Sequence, residues 1–72
     1  MNTKKRIAVI GSGSWGTAMA NHAANVGHET DLYCRHQKIA DQINLEHENK
    51  EYLTAYDLNP ELKCKLITEY TG

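Results

Sequence analysis

Ile7-Ala8-Val9-Ile10-Gly11-Ser12-Gly13-Ser14-Trp15-Gly16-Thr17-Ala18-Met19-Ala20 is the stretch that decides the fold. Four apolar residues run unbroken into a glycine turn, and an alanine-rich segment follows. An apolar run of this kind predicts a strand buried on both faces, as at the centre of a parallel sheet. The spacing Gly11-Ser12-Gly13-Ser14-Trp15-Gly16 suits the turn that joins such a strand to a helix and binds a dinucleotide there. Gly11 would allow the tight turn, Gly13 would let the backbone approach the phosphates, and Gly16 would let the helix pack closely on the sheet. The helix would then aim its unpaired first-turn N–H groups and its positive end at a pyrophosphate. A purely structural glycine turn can carry the same spacing, so the flanking elements have to discriminate.

Working outward, Arg6 to Ile10 reads as the first strand and Ser14 to Val26 as a helix. Along that helix Trp15, Met19, His22 or Ala23, and Val26 form one stripe, and Gly16, Ala20 and Ala24 form a smooth strip beside it. Gly27 is placed as a left-handed helix cap. Glu29 to Cys34 follows as strand two, and Gln37 to Asn49 as a second helix with Ile39, Ala40, Ile43 and His47 on its inner side. Lys50 to Glu61 reads as an irregular loop broken by Asn59-Pro60. Leu62, Cys64 and Leu66 then alternate with Lys63 and Lys65 as in a half-exposed strand, and Thr68-Glu69 opens a third helix.

Strand, helix, strand, helix, strand predicts an α/β fold: a Rossmann-type βαβαβ half with a parallel sheet in the strand order 3-2-1. Crossovers that step in one direction place both helices on one face of the sheet and leave the other bare. The expectation is therefore that residues 1–72 form the amino-terminal part of a dinucleotide-binding domain that further chain completes.

Composition excludes several classes. With 72 residues, 40% hydrophobic and 24% charged, the chain is close to the soluble globular norm. A chain this short hides only about 60% of the surface its unfolded form exposes. The apolar run after Lys4-Lys5-Arg6 is too short for a signal peptide or a membrane span. A net charge of −1 with interspersed signs gives no footprint for nucleic acid or a membrane surface. Cys34 and Cys64 have no metal-type spacing and read as two reduced thiols of a cytoplasmic protein, and the scattered histidines provide no metal site.

The usual NAD pattern ends strand two with a carboxylate that holds the ribose hydroxyls, but here the stretch reads Leu32-Tyr33-Cys34-Arg35-His36. Asp31 is too early and is assigned to the polar face of the sheet. Arg35, with His36 and Lys38 beside it, suits a 2′-phosphate and an adenine ring, which favours NADP over NAD. The competing reading is an exposed basic loop.

These residues carry a resemblance. The segment from Ile7 to Ala20, with Ser14-Trp15 before the third glycine and Thr17-Ala18 after it, resembles the opening of the bacterial-type NAD(P)-dependent glycerol-3-phosphate dehydrogenases. Gly27-His28-Glu29, the Asn49-Lys50-Glu51-Tyr52-Leu53 loop, and Leu62-Lys63 ahead of Thr68-Glu69 are similar to further segments of that family. The chain departs from it at Thr54-Ala55, where a proline commonly follows the Tyr-Leu pair. The resemblance implies that Ser14 and Trp15 contact the pyrophosphate, that Arg35 and His36 hold the adenosine end, and that Tyr52 lines the cofactor pocket. Tyr52 also reads as a packing residue of its loop, and Trp15 as one at the helix start.

The implied reaction is hydride transfer between NADP(H) or NAD(H) and C2 of dihydroxyacetone phosphate, giving sn-glycerol 3-phosphate for phospholipid synthesis. The family's working lysines come from later segments, so no catalytic residue is assigned in this chain and the segment alone is expected to be inactive. The resemblance leaves a homo-oligomer open for the longer protein. Two alternatives remain: another Rossmann reductase of the 6-phosphogluconate or ketopantoate type, and a non-catalytic dinucleotide-sensing module.

Overall fold

A computed structural model describes residues 4–53 and 57–70. Strand β1 (Arg6–Ile10) leads through the glycine turn into helix α1 (Ser14–Val26), then β2 (Glu29–Cys34), helix α2 (Gln37–Asp41) and β3 (Lys63–Leu66). The three strands are parallel in the order β1-β2-β3, with Arg6 opposite Glu29 and Ile10 opposite Tyr33 at one junction, and Asp31 opposite Lys63 at the other. This is the Rossmann-type α/β half that the element order predicts.

Parity along the strands assigns the two faces of the sheet. Leu32, Cys34 and Cys64 are buried together with Ala20 of α1 and Ile39 and Ala40 of α2, and Val9 packs against the same cluster. Both helices therefore cover one face. Leu58 and Leu62, from the connection into β3, close its far side. On the other face Asp31 lies between two cations, 3.8 Å from Arg6 and 3.5 Å from Lys65. Its place there accords with the assignment of Asp31 to the polar side of the sheet. Tyr33 is on this face too, in an edge-to-face contact with Tyr70 at 5.1 Å.

Helix α1 ends as its sequence suggests. Gly27 takes φ 105°, and the N–H groups of Gly27 and His28 return to the carbonyls of Ala24 and Ala23. The small-residue side packs on the sheet, with Thr17, Ala20 and Asn21 buried. The larger stripe does not: Trp15 is 82% exposed, and Met19 and Val26 are also exposed. These residues overhang β1, which occupies an edge of the sheet, and with Ile7 and Val9 they line an apolar groove of about 520 Å³.

Three expectations are corrected. Ile7 to Ile10 is not buried on both faces; in β1 the half-buried Ile7 and Val9 share parity with the side that the helices cover, while Arg6, Ala8 and Ile10 point to the bare side and are exposed. The second helix does not run unbroken to Asn49. After Asp41 it widens into a π-helical turn over Gln42–Glu46, and His47 closes it in the left-handed region at φ 57°. The side chain of Asn44 in that turn meets β3 like a neighbouring strand: its amide donates to the Cys64 carbonyl and its oxygen accepts the Cys64 N–H, both at 2.8 Å. Finally, the third helix is a single 3₁₀ turn, Ile67–Glu69, whose Glu69 carboxylate caps the Leu66 N–H at 2.9 Å.

Candidate functional site

The carboxyl ends of β1 and β2 open onto a cleft of about 470 Å³. Its floor is the glycine turn, with Gly11, Ser12 and Gly13. Arg35 and His36, just past β2, form one wall, and Tyr52 contributes to the opposite rim. The cleft thus lies outside the carboxyl ends of the strands, the end at which open α/β sheets bind their ligands.

The turn is built by its glycines in three different ways. Gly11 has φ 105°, a conformation side chains disfavour, and its N–H donates to the Tyr33 carbonyl at 2.8 Å, fastening the turn to β2. Gly16 is a close-approach site. A Cβ there would sit about an ångström inside the 3.0 Å that such atoms keep from their neighbours, against the Gly11 carbonyl oxygen. This differs in detail from packing on the sheet: the helix start is pressed onto the turn itself, with Val9 behind it at 3.7 Å. Gly13 is the reverse case, since a Cβ there would have no atom within 4 Å. It would project into open space beside the cleft that Gly13 lines.

The N-cap of helix α1 is Gly13, which has no side chain, and no side-chain cap is made to the first turn among the described residues. The start of this 13-residue helix, with its first-turn donors and positive end, thus follows directly on Gly13 at the cleft, although Ser14, Trp15 and Gly16 do not themselves line it. Ser14 and Trp15 divide between two places. The Ser14 hydroxyl donates to the Tyr52 carbonyl, joining the helix start to the 49–53 loop. The Trp15 indole lies in the outer groove beside Met19, so only its backbone belongs to the turn. Arg35, His36 and Lys38 are exposed, and the Cys34 thiol donates to the His36 carbonyl at 3.3 Å, tying the wall to the core.

Two buried side chains behind the floor were not singled out by sequence reasoning. Thr17 and Asn49 are both fully buried, and each donates to the Ser12 carbonyl, at 3.0 and 2.9 Å. Asn49 also donates to the Thr17 hydroxyl at 2.9 Å, accepts the Tyr52 N–H at 3.4 Å, and through its own carbonyl accepts the Leu53 N–H at 2.8 Å. Asn49 belongs to the Asn-x-x-Tyr-Leu loop, but its contact with Thr17 spans 32 residues, which no local pattern discloses. The Thr54-Ala55 departure lies outside the described residues.

Burial and the neighbouring Cys34 thiol push the Cys64 thiol well above its ordinary pKa. The two sulfurs are 3.4 Å apart, both as free thiols.

Comparison with known proteins converges on one family. Residues 6–69 match the family model described as NAD-dependent glycerol-3-phosphate dehydrogenase N-terminus. A glycerol-3-phosphate dehydrogenase [NAD(P)+] of Acinetobacter baylyi is 51% identical over 62 residues, covering 86% of this chain and 17% of that protein. The one from Lawsonia intracellularis is 47% identical over 60 residues, covering 83% and 17%. A solved structure of the Plasmodium falciparum glycerol-3-phosphate dehydrogenase superposes with a TM-score of 0.71 at 26% identity, over 88% of this chain and 20% of that one. The chain thus spans about a sixth of the length of the curated relatives it matches.

Proposed function

This chain belongs to the NAD-dependent glycerol-3-phosphate dehydrogenase family, and we propose that its cleft is the dinucleotide-binding part of an enzyme interconverting dihydroxyacetone phosphate and sn-glycerol 3-phosphate. The observation that carries this reading is the open space over Gly13 at the start of an uncapped helix. A backbone cradle of that kind suits an anionic group, and the family to which the chain belongs makes a pyrophosphate its natural occupant.

The nicotinamide, when bound, supplies the hydride chemistry. The residues of this chain bind and orient. Gly11, Gly13, Ser14, Trp15 and Gly16 form the pyrophosphate turn, with Trp15 acting through its backbone. Arg35 and His36 take the adenosine end. The Arg35 guanidinium, unlike a carboxylate, attracts a 2′-phosphate, which supports NADP(H) over NAD(H). Tyr52 borders the pocket, its carbonyl fixed by Ser14. No residue here is given a role at the substrate carbonyl, and the chain alone is expected to show no turnover. In the longer protein the product would enter phospholipid synthesis in the cytoplasm, a reducing compartment that suits two buried free thiols.

Titration with NADPH and NADH, followed by nicotinamide fluorescence, tests the reading. Tighter binding of NADPH, reduced about tenfold or more toward the NADH value in Arg35→Ala, is the expected result. Equal affinity for both cofactors with no effect of Arg35→Ala would remove the adenosine-end assignment, and binding of neither by a chain with the dispersed amide resonances of a folded protein would remove the cofactor reading.

A further inference from the structure

The brace behind the glycine turn has a direction. Asn49 and Thr17 both pull on the Ser12 carbonyl and turn it into the protein interior. The Ser12–Gly13 peptide is trans, as none in the described residues is cis, so its N–H points away from its carbonyl. With the carbonyl held inward, the Gly13 N–H faces the cleft. The opposite orientation would place a carbonyl oxygen there and repel an anion. Gly13 itself offers little resistance to such a flip, because it has no Cβ and none would meet an obstacle. The orientation must be set from behind.

We infer that Asn49, seconded by Thr17, is a positioning residue that fixes the Ser12–Gly13 peptide with its N–H toward the pyrophosphate; this rests on the cofactor reading above. The acceptor fixes the Asn49 amide with its nitrogen toward Ser12, and that nitrogen spends its donors on the Ser12 carbonyl and the Thr17 hydroxyl. Its oxygen meanwhile receives the Tyr52 N–H. One fully buried amide therefore links the floor of the cleft to its Tyr52 rim, and the bond from Ser14 to the Tyr52 carbonyl closes the circuit on the outside. Thr17 alone offers the Ser12 carbonyl a single donor on a side chain that Asn49 holds in place. Removing either partner frees the peptide and leaves a buried carbonyl short of donors.

The test compares Asn49→Ala, Thr17→Val and the hydroxyl-retaining Thr17→Ser with the unaltered chain. Two probes are used: NADPH, which spans the turn, and 2′-AMP, which carries the adenosine end without a pyrophosphate. Asn49→Ala and Thr17→Val are expected to weaken NADPH by about tenfold, to leave 2′-AMP within about twofold, and to move the Gly13 amide resonance; Thr17→Ser should keep all three at the parent values. Folded variants that bind NADPH as tightly as the parent would overturn the inference. So would parallel loss of both probes, which would mark Asn49 as merely structural. If the unaltered chain is folded and binds neither probe, the cofactor reading itself fails, an outcome distinct from the other two.

Discussion

Gly16 and Gly13 lie three residues apart in one turn, and the structure predicts that adding the same methyl group to each has opposite consequences. In Gly16→Ala the new Cβ lands about an ångström inside 3.0 Å of the Gly11 carbonyl oxygen, with the carbonyl carbon at 3.1 Å. The obstacle is backbone, and its residue is held by the bond from the Gly11 N–H to Tyr33 and by a φ of 105°. Neither atom can swing aside as a side chain would, so the start of α1 has to lift from the turn. Overpacking of this kind costs about 1–3 kcal/mol, against a gain of at most about 1 kcal/mol from the better helix propensity of alanine. Even with the full propensity gain the net loss reaches about 2 kcal/mol, which is large for a chain of 72 residues, whose whole stability is of order 4–11 kcal/mol. In Gly13→Ala the Cβ meets nothing within 4 Å and φ is −68°, so the folded-state cost is confined to alanine being a poorer N-cap than glycine, about 1 kcal/mol or less. Its methyl group occupies the cleft floor, and NADPH affinity should fall by at least about tenfold. Urea unfolding followed by far-ultraviolet dichroism, with cofactor titration of each variant, reads both effects. A Gly16→Ala chain as stable as the parent, or a Gly13→Ala chain that unfolds early, would refute the assignment of close approach to one glycine and ligand space to the other.

Other outcomes follow from the packing. Because the Cys64 thiol is raised when folded, the native chain keeps a proton that the unfolded chain releases. Stability from this group is complete below about pH 9 and declines above it, with a slope of up to about 1.4 kcal/mol per pH unit; unfolding curves at pH 8.5 to 10 should show the decline in the parent and less of it in Cys64→Ala. Alkylation of the native thiols by iodoacetamide should accordingly track unfolding, and rapid labelling under native conditions would contradict their burial. Asn44→Ala removes both bonds to Cys64 and should destabilise by about 1–2 kcal/mol in urea, more than an exposed helix substitution otherwise does. Ile43→Ala opens a cavity in a fully buried site and should lose about 2–5 kcal/mol, visible as a lower unfolding midpoint.

Where chemistry and structure are local, the residues state them directly. The strand at Arg6–Ile10, the helix at Ser14–Val26 and the strand at Glu29–Cys34 have the boundaries that apolar runs and glycine punctuation predict. The cleft likewise brings together Gly11, Gly13, Arg35 and His36, residues marked by type and spacing, with Tyr52, to which the family resemblance alone pointed. What periodicity could not convey depends on partners far along the chain. The helical pattern over Gln37 to Asn49 holds no hint that Asn44 serves β3, and that tertiary bond accompanies the widened turn. The stripe of Trp15, Met19 and Val26 signals burial by composition, yet whether such a stripe is covered depends on what lies beside β1. Thr17 and Asn49 resemble ordinary helix and loop residues until folding sets them behind the same carbonyl.

The all-parallel pairing also governs how the chain must reach its fold. Arg6 finds its partner at Glu29, 23 residues downstream, and Asp31 finds Lys63 only 32 residues on. Among the described residues no two strands pair as a hairpin that could zip up early, so each strand junction demands closure of a long loop, at about 3 kcal/mol beyond a constant term, before any ladder bond can repay it. Non-local pairing of this sort slows folding relative to chain length. The glycine turn takes its fixed shape only once β2 receives the Gly11 N–H and the Asn49 segment arrives behind Ser12. A nascent chain still short of Asn49 therefore has the glycines in place but not the brace behind them.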